Sequence, residues 1–161
     1  ENKINSSSEC IYMTGTVIML VLLLLFVSFA NPQQEFRQGM WAINGWAMGN
    51  ATSLVGSMHE DPQLSSFHQM NVGWSLVNAG LASYALSNNK PIKPKKLERL
   101  FWINSALDVV YVASGAWLRM EGQKRGNPQW VGWGESIMIQ GGFLLVFDSV
   151  MGWRMGTYAH K

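Results

Sequence analysis

The sequence predicts an all-α fold: a transmembrane four-helix bundle preceded by one additional N-terminal apolar helix. Three observations predict it. Charged residues make up only 14% of the 161 positions and hydrophobic ones 48%, whereas an ordinary soluble domain carries about a quarter charged. Five long stretches run with few charges or none, divided by polar, Pro-containing breaks. No window alternates apolar and polar residues between turn signals, as a half-buried strand would. The length suits one domain or two small ones.

The first element is Ile11 to Ala30, twenty residues without a charge. A helix rises about 1.5 Å per residue, so such a run covers about 30 Å of hydrocarbon. Two readings stand. It is a retained anchor, or it is a signal-like segment with Ser28 and Ala30 near a cleavage position. Lys3, Glu1 and Glu9 make a poor basic flank for the second. The expected organisation is an N-terminal tail and apolar helix over 1–35, then a four-helix membrane bundle over 36–161.

Four helices follow. Gln38 to Met58 is the first, broken by His59-Glu60-Asp61-Pro62. Phe67 to Leu86 is the second, ended by the basic loop from Ser87 to Lys96. Leu97 to Met120 is the third, and Glu121 to Pro128 the turn after it. Trp130 to Met155 is the fourth. Small residues recur in them, including Gly45, Gly49, Gly56, Gly73, Gly80, Gly115, Gly141, Gly142 and Gly152. In lipid, where burial does not drive helices together, small residues let backbones approach closely. A soluble bundle with an anchor is the competing reading. It needs charged outer faces, yet Gln38 to Met58 holds no charge, and Phe67 to Leu86 none beyond His68.

Charge also bounds partners and placement. A formal net charge of +2 is too small to imply nucleic acid. The expected partners are the lipid bilayer and other membrane subunits. Cys10 is the single cysteine, which excludes an intrachain disulfide and a multi-Cys metal site. The eight Trp fall mostly toward helix ends, as an interfacial belt would, with Trp46 and Trp74 the candidates for core packing. Arg37, Lys90, Lys93, Lys95, Lys96, Arg99, Arg154 and Lys161 gather on one side. Lys3, Arg119, Lys124 and Arg125 gather on the other. The excess of Lys and Arg marks the first side as cytoplasmic. This places the chain in a membrane as a multi-pass protein, with its C-terminus inside and its N-terminus outside if the first span is retained.

An ionisable or amide side chain inside a span is costly, so each is a functional hypothesis. On the second helix His68, Asn71, Ser75 and Asn78 share a stripe at about 100° per residue. On the third Asn104, Asp108 and Tyr111 share a face. The fourth carries Glu135, Gln140 and Asp148, and the first Asn44 and Asn50. By depth, Asn44, Asn78, Asn104, Asp108 and Asp148 belong to the cytoplasmic half, while His68, Asn71 and Glu135 gather toward the other end. Together they are expected to form a buried polar network that fixes packing; a site for a polar ligand, proton or cation is the sharper alternative.

Catalysis finds little support. No nucleophile, base and orienting acid stand at a suggestive spacing. His59-Glu60 begins like a zinc-protease helix, but no His follows four residues after His59. No metal site and no cofactor are expected. Haem or pigment ligation by His68 is the one cofactor alternative, set against an ordinary helix-end histidine. Asn50-Ala51-Thr52 matches a glycosylation pattern but falls inside a span. A faint internal echo pairs Ile43-Asn44 with Ile103-Asn104, and Asn71 to Val77 with Gln140 to Val146. Duplication of a helical hairpin and chance matching explain it equally.

Phe67-His68-Gln69-Met70-Asn71, Trp74, Val77-Asn78, Ile103-Asn104, Leu107-Asp108-Val109, Tyr111, Gln140-Gly141-Gly142-Phe143-Leu144 and Phe147-Asp148 resemble a family of uncharacterised bacterial membrane proteins. The resemblance runs from about Phe36 to Asp148. It implies four spans after an apolar leader, a polar interior and the bacterial inner membrane, and it supplies no reaction. The expected function is therefore a non-catalytic integral membrane protein, an accessory or structural subunit of a larger assembly. The alternative is a small transporter or ligand-binding bundle using Asp108 and Asp148. An open cavity at those carboxyls separates the second from the first.

Overall fold

A computed structural model describes residues 31–161, so the apolar run Ile11 to Ala30 lies outside the described residues. Four of the five prolines open a helix. Pro32, Pro62, Pro94 and Pro128 each occupy the first helical position, where the missing N–H costs nothing and the fixed φ already suits the helix. Three have a capping side chain before them. Asn31 Oδ1 accepts from Gln33 N at 2.8 Å. Asp61 Oδ1 accepts from Gln63 N at 2.8 Å and Leu64 N at 3.2 Å. Asn127 Oδ1 accepts from Trp130 N at 3.2 Å. These bonds satisfy donors that a helix start otherwise leaves open.

The helices are α1 (Pro32–Ala51), α2 (Ser53–Gly56), α3 (Pro62–Ser87), α4 (Pro94–Arg125) and α5 (Pro128–Ala159), with no strand among the described residues. Each long helix starts two to six residues earlier than the apolar runs alone suggest. The runs begin where the apolar residues begin, whereas the helices begin at Asx-Pro or Lys-Pro. The expected first helix also divides. Asn50 Nδ2 donates to Trp46 O at 2.9 Å and Thr52 Oγ1 to Gly49 O at 2.7 Å. These local bonds compete with the helical ladder, and a single further turn, α2, follows. At the far end of α4, Gly126 adopts φ 62°, a left-handed cap that a residue with a Cβ resists.

α5 is the central helix. α4 lies along it for most of its length, while α3 packs on both α5 and α1. Close backbone approach explains the first pairing. A Cβ on Gly115 would lie 2.9 Å from Gly134 O, and one on Gly134 would lie 2.6 Å from Gly115 O. Gly132 meets the Gln63 backbone of α3 in the same way. Gly141 and Gly152 also pack, whereas Gly73, Gly80 and Gly142 face open space. α1 reaches α5 through long side chains. Trp46 stacks on Phe143 with ring centroids 3.9 Å apart and planes at 8°. Met40, Ile43, Phe101, Phe147, Met151 and Met155 complete this core. Trp46 is thus a core residue, while Trp41, Trp102, Trp117 and Trp153 are exposed.

α1 with α3 and α4 with α5 form two hairpins that start from the same end. That end holds the 88–93 loop and the C-terminus. Ile92 N donates to Gln33 Oε1 at 3.1 Å, and Arg37 Nη1 to Leu86 O at 3.0 Å. Glu98 Oε1 lies 3.6 Å from His160 Nε2. At the opposite end, Arg119 Nε meets Glu135 Oε1 at 3.0 Å and Arg125 Nε meets Glu121 Oε1 at 2.7 Å. The Arg125 hydrogen bond lowers the half-buried Glu121 carboxyl below its usual range.

Between the two ends the surface is apolar. Leu76, Val77, Leu81 and Tyr84 of α3 are exposed, as are Ile103, Leu107, Val109 and Val110 of α4. One helix among the described residues, α5, is long and apolar enough to cross a membrane. The sequence leads one to expect four such helices. The Asn, Gln, Ser and Gly content of α1 and α3, and Asn104, Ser105, Asp108 and Ser114 within α4, pull the mean hydropathy of these stretches down.

Candidate functional site

The polar residues expected to form one network divide into separate groups. The first is sealed. Gln140, fully buried on α5, accepts from Trp46 Nε1 at 2.8 Å. Its Nε2 donates to Asn71 Oδ1 at 2.9 Å and to Asn50 Oδ1 at 3.1 Å. Ser136 Oγ donates to the same Asn71 oxygen at 2.7 Å, and Ser75 Oγ to Asn71 O at 2.8 Å. This cluster joins α1, α3 and α5. Its partners are all protein groups, as buried amides require, and it fixes how the three helices rotate against one another. Asn50, already noted on the first helix, joins it, while Trp46 and Ser136 are members that helical spacing alone left out of the expected network.

The second group is open. α3 and α4 barely touch each other, and a cavity of about 370 Å³ lies between them, floored by α1 and α5. Asp108 of α4 and Asp148 of α5 line it, with Asn78 and Asn104. Asp108 on α4 and Asp148 on α5 are both buried and stand on the same wall, with Asn104 beside them. Two carboxyl groups on one poorly solvated wall repel each other when both are ionised, and a proton or a cation between them relieves that repulsion. Two buried atoms of the cavity wall, Asp108 Oδ2 and Asn78 Nδ2, have no hydrogen-bond partner. Buried polar atoms are nearly always paired, so these two face space that a water molecule or another polar group fills. The rest of the wall is apolar, from Phe36, Met40 and Ile43 of α1 to Leu144 and Phe147 of α5. Trp74 of α3 and Tyr111 of α4 meet edge to face across its mouth, with centroids 5.4 Å apart.

The remaining expected residues lie elsewhere. Asn44 is half-buried on α1 and accepts from Ser83 Oγ at 3.4 Å. Tyr111 is 40% exposed at the cleft mouth. Glu135 joins Arg119 and also accepts from Gln63 Nε2 at 3.1 Å, a partly exposed cluster at the end opposite the basic loop. His68 lies under α2, its ring so close to Gly56 that a Cβ there would collide with it. The ring also meets Phe67 edge-on at 5.3 Å, which is a packing position. The pairing of Glu35 with Arg154 went unmarked in the sequence, where Arg154 counted only toward the basic side. They form a buried ion pair between the start of α1 and the end of α5. Only the length of chain between them hid it; both residue types were legible as charges near helix ends.

The fold and the site define an all-helical protein with a sealed amide cluster and an acid-lined cleft. The chain belongs to a family of unknown function (DUF6992), matched over residues 39–149. No curated protein and no solved structure matches it. The matched range holds all four polar cleft residues, while Glu35 and Arg154 fall outside it. The resemblance drawn over Phe36 to Asp148 is thus to an uncharacterised family.

Proposed function

We propose that this chain is a multi-span protein of the bacterial inner membrane that binds a small ligand at the Asp108–Asp148 cleft. Multi-span placement is supported by where the charges are. Pro62 to Ser87 contains no Asp, Glu, Lys or Arg, and Leu100 to Leu118 contains only Asp108. Nineteen helical residues cover about 28 Å, close to the thickness of the hydrocarbon layer. The outward faces of these stretches are mostly Leu, Val, Ile, Trp and Tyr, a surface that water tolerates poorly over so wide a patch. The basic end, with Arg37, Lys90, Lys93, Lys95, Lys96, Arg99 and Lys161, faces the cytoplasm in this reading.

One observation carries the ligand reading: the two acids stand on a cavity wall, while the amide cluster beside them is closed. Scaffolding alone would favour sealing both. The test is labelling by dicyclohexylcarbodiimide, a lipid-soluble reagent that adds to a protonated carboxyl in apolar surroundings and leaves an N-acylurea. In lipid nanodiscs the folded chain is expected to be labelled at Asp108 or Asp148, and the D108N/D148N variant at neither. Labelling that appears only after unfolding would remove the proposal.

A second reading is a non-catalytic accessory subunit packed against other membrane chains. Gly73 and Gly80 favour it, since both face open space on the outer side of α3, where a foreign helix could approach closely. In that case Gly80→Trp strips co-purifying subunits from the chain and leaves carbodiimide labelling intact.

A further inference from the structure

We infer that the ligand is a lipophilic amine that enters the cleft sideways, from the bilayer, through the gap between α3 and α4; this rests on the ligand-binding reading above. The sign of the ligand follows from the wall. It carries two carboxyl groups and no Lys, Arg or His. Asp108 Oδ2 is buried and lacks a donor, and a protonated amine supplies one. Charge-assisted bonds of this kind are the strong ones. Asn78 Nδ2, also without a partner, is free to donate to an oxygen beside the amine.

The body of the ligand follows from the same wall. Apart from the acids, the two Asn and the ring hydroxyl of Tyr111, its lining is aliphatic or aromatic. A cavity of about 370 Å³ holds about a dozen water-sized groups. That is room for an ammonium head and a short apolar portion, with any longer tail left outside.

The route follows from the mouth. Val77 and Leu81 of α3 and Leu100 and Leu107 of α4 line the cleft and are 53%, 66%, 48% and 48% exposed. They therefore form its rim, and the rim belongs to the apolar band. A ligand dissolved in lipid meets this opening directly, and the tail that does not fit stays among acyl chains.

The experiment is protection against the same carbodiimide in nanodiscs. N,N-dimethyldodecylamine is the probe, because a tertiary amine cannot itself be coupled to the activated carboxyl. Dodecanol, dodecanoate and the short N,N-dimethylethylamine are the comparisons. The dodecyl amine is expected to protect at a concentration lower than any of the three by about tenfold or more, as a buried ion pair with an apolar tail implies. Leu81→Trp, which narrows the rim and leaves both acids in place, is expected to slow both labelling and protection. Equal protection by dodecanol would overturn the ionic part of the inference. Equal protection by the short amine would overturn lateral entry. Labelling that no amine prevents would overturn the inference while the ligand-binding reading stands. No labelling of the folded chain would end both.

Discussion

The Glu35 carboxylate and the Arg154 guanidinium, 119 positions apart, form a buried ion pair that closes the first described helix onto the last. Tyr158 Oη donates to the second Glu35 oxygen at 3.3 Å. Glu35 is 1% exposed, so its charge depends on protein partners. Removing one member strands the other in a poorly solvated place. Arg154→Met or Glu35→Leu is expected to cost about 3–5 kcal/mol, and the double replacement clearly less than the sum of the two. Thermal unfolding of the four proteins in detergent measures the cycle. Additive losses would mean that the pair does not act as a unit.

Gly134 and Gly142 lie eight residues apart on α5 and should respond in opposite ways. A Cβ at Gly134 would lie 2.5 Å from Arg119 N, a backbone atom that cannot step aside. Gly134→Ala is expected to destabilise by about 1–3 kcal/mol through overpacking. Gly142 has nothing within 4 Å of its Cβ position, so Gly142→Ala is expected to be neutral or to stabilise by up to about 1 kcal/mol through helix propensity. Parallel melts read the contrast, and equal effects would contradict the close approach of α4 to α5.

Gln140 holds together partners from two other helices. Gln140→Leu leaves Trp46 Nε1 without its acceptor and Asn50 and Asn71 short of a donor. The expected loss is about 1–3 kcal/mol, the range for a buried group left unpaired. Asn71→Ala in the same background should cost less than it does alone, because the bond from Gln140 is already gone while the one from Ser136 remains to be lost. Carbodiimide labelling of Asp108 and Asp148 should persist in both variants if the cluster and the cleft are separate.

Membrane placement makes a topological prediction. In a Cys10→Ser background, Asn89→Cys is expected to react with an impermeant maleimide only from the cytoplasmic side, and Glu60→Cys only from the outside. Asn89 lies in the basic loop and Glu60 between α2 and α3, both exposed. Reaction of both from one side would defeat the multi-span reading.

Much of the architecture was legible from local chemistry. Charge-free runs marked the long helices, and Pro marked their boundaries; only the side of the boundary was misjudged, because Pro opens a helix as readily as it ends one. Counting residues from the helix ends also gathered Asn78, Asn104, Asp108 and Asp148 at one depth, and these four line one cavity. Asn44 has the same depth but sits on a face of α1 turned toward Ser83, which depth alone does not specify.

The amino-acid order by itself determined that the chain is helical, which stretches form the long helices, and at about what level along them each polar group sits. These follow from interactions between residues a few positions apart. Tertiary structure decided which amides closed on one another, which acids were left facing a cavity, and that Glu35 would meet Arg154. Those outcomes depend on how each helix is rotated about its axis and how nearly its neighbours approach, and glycines such as Gly115 and Gly134 set that approach only once both helices are in place.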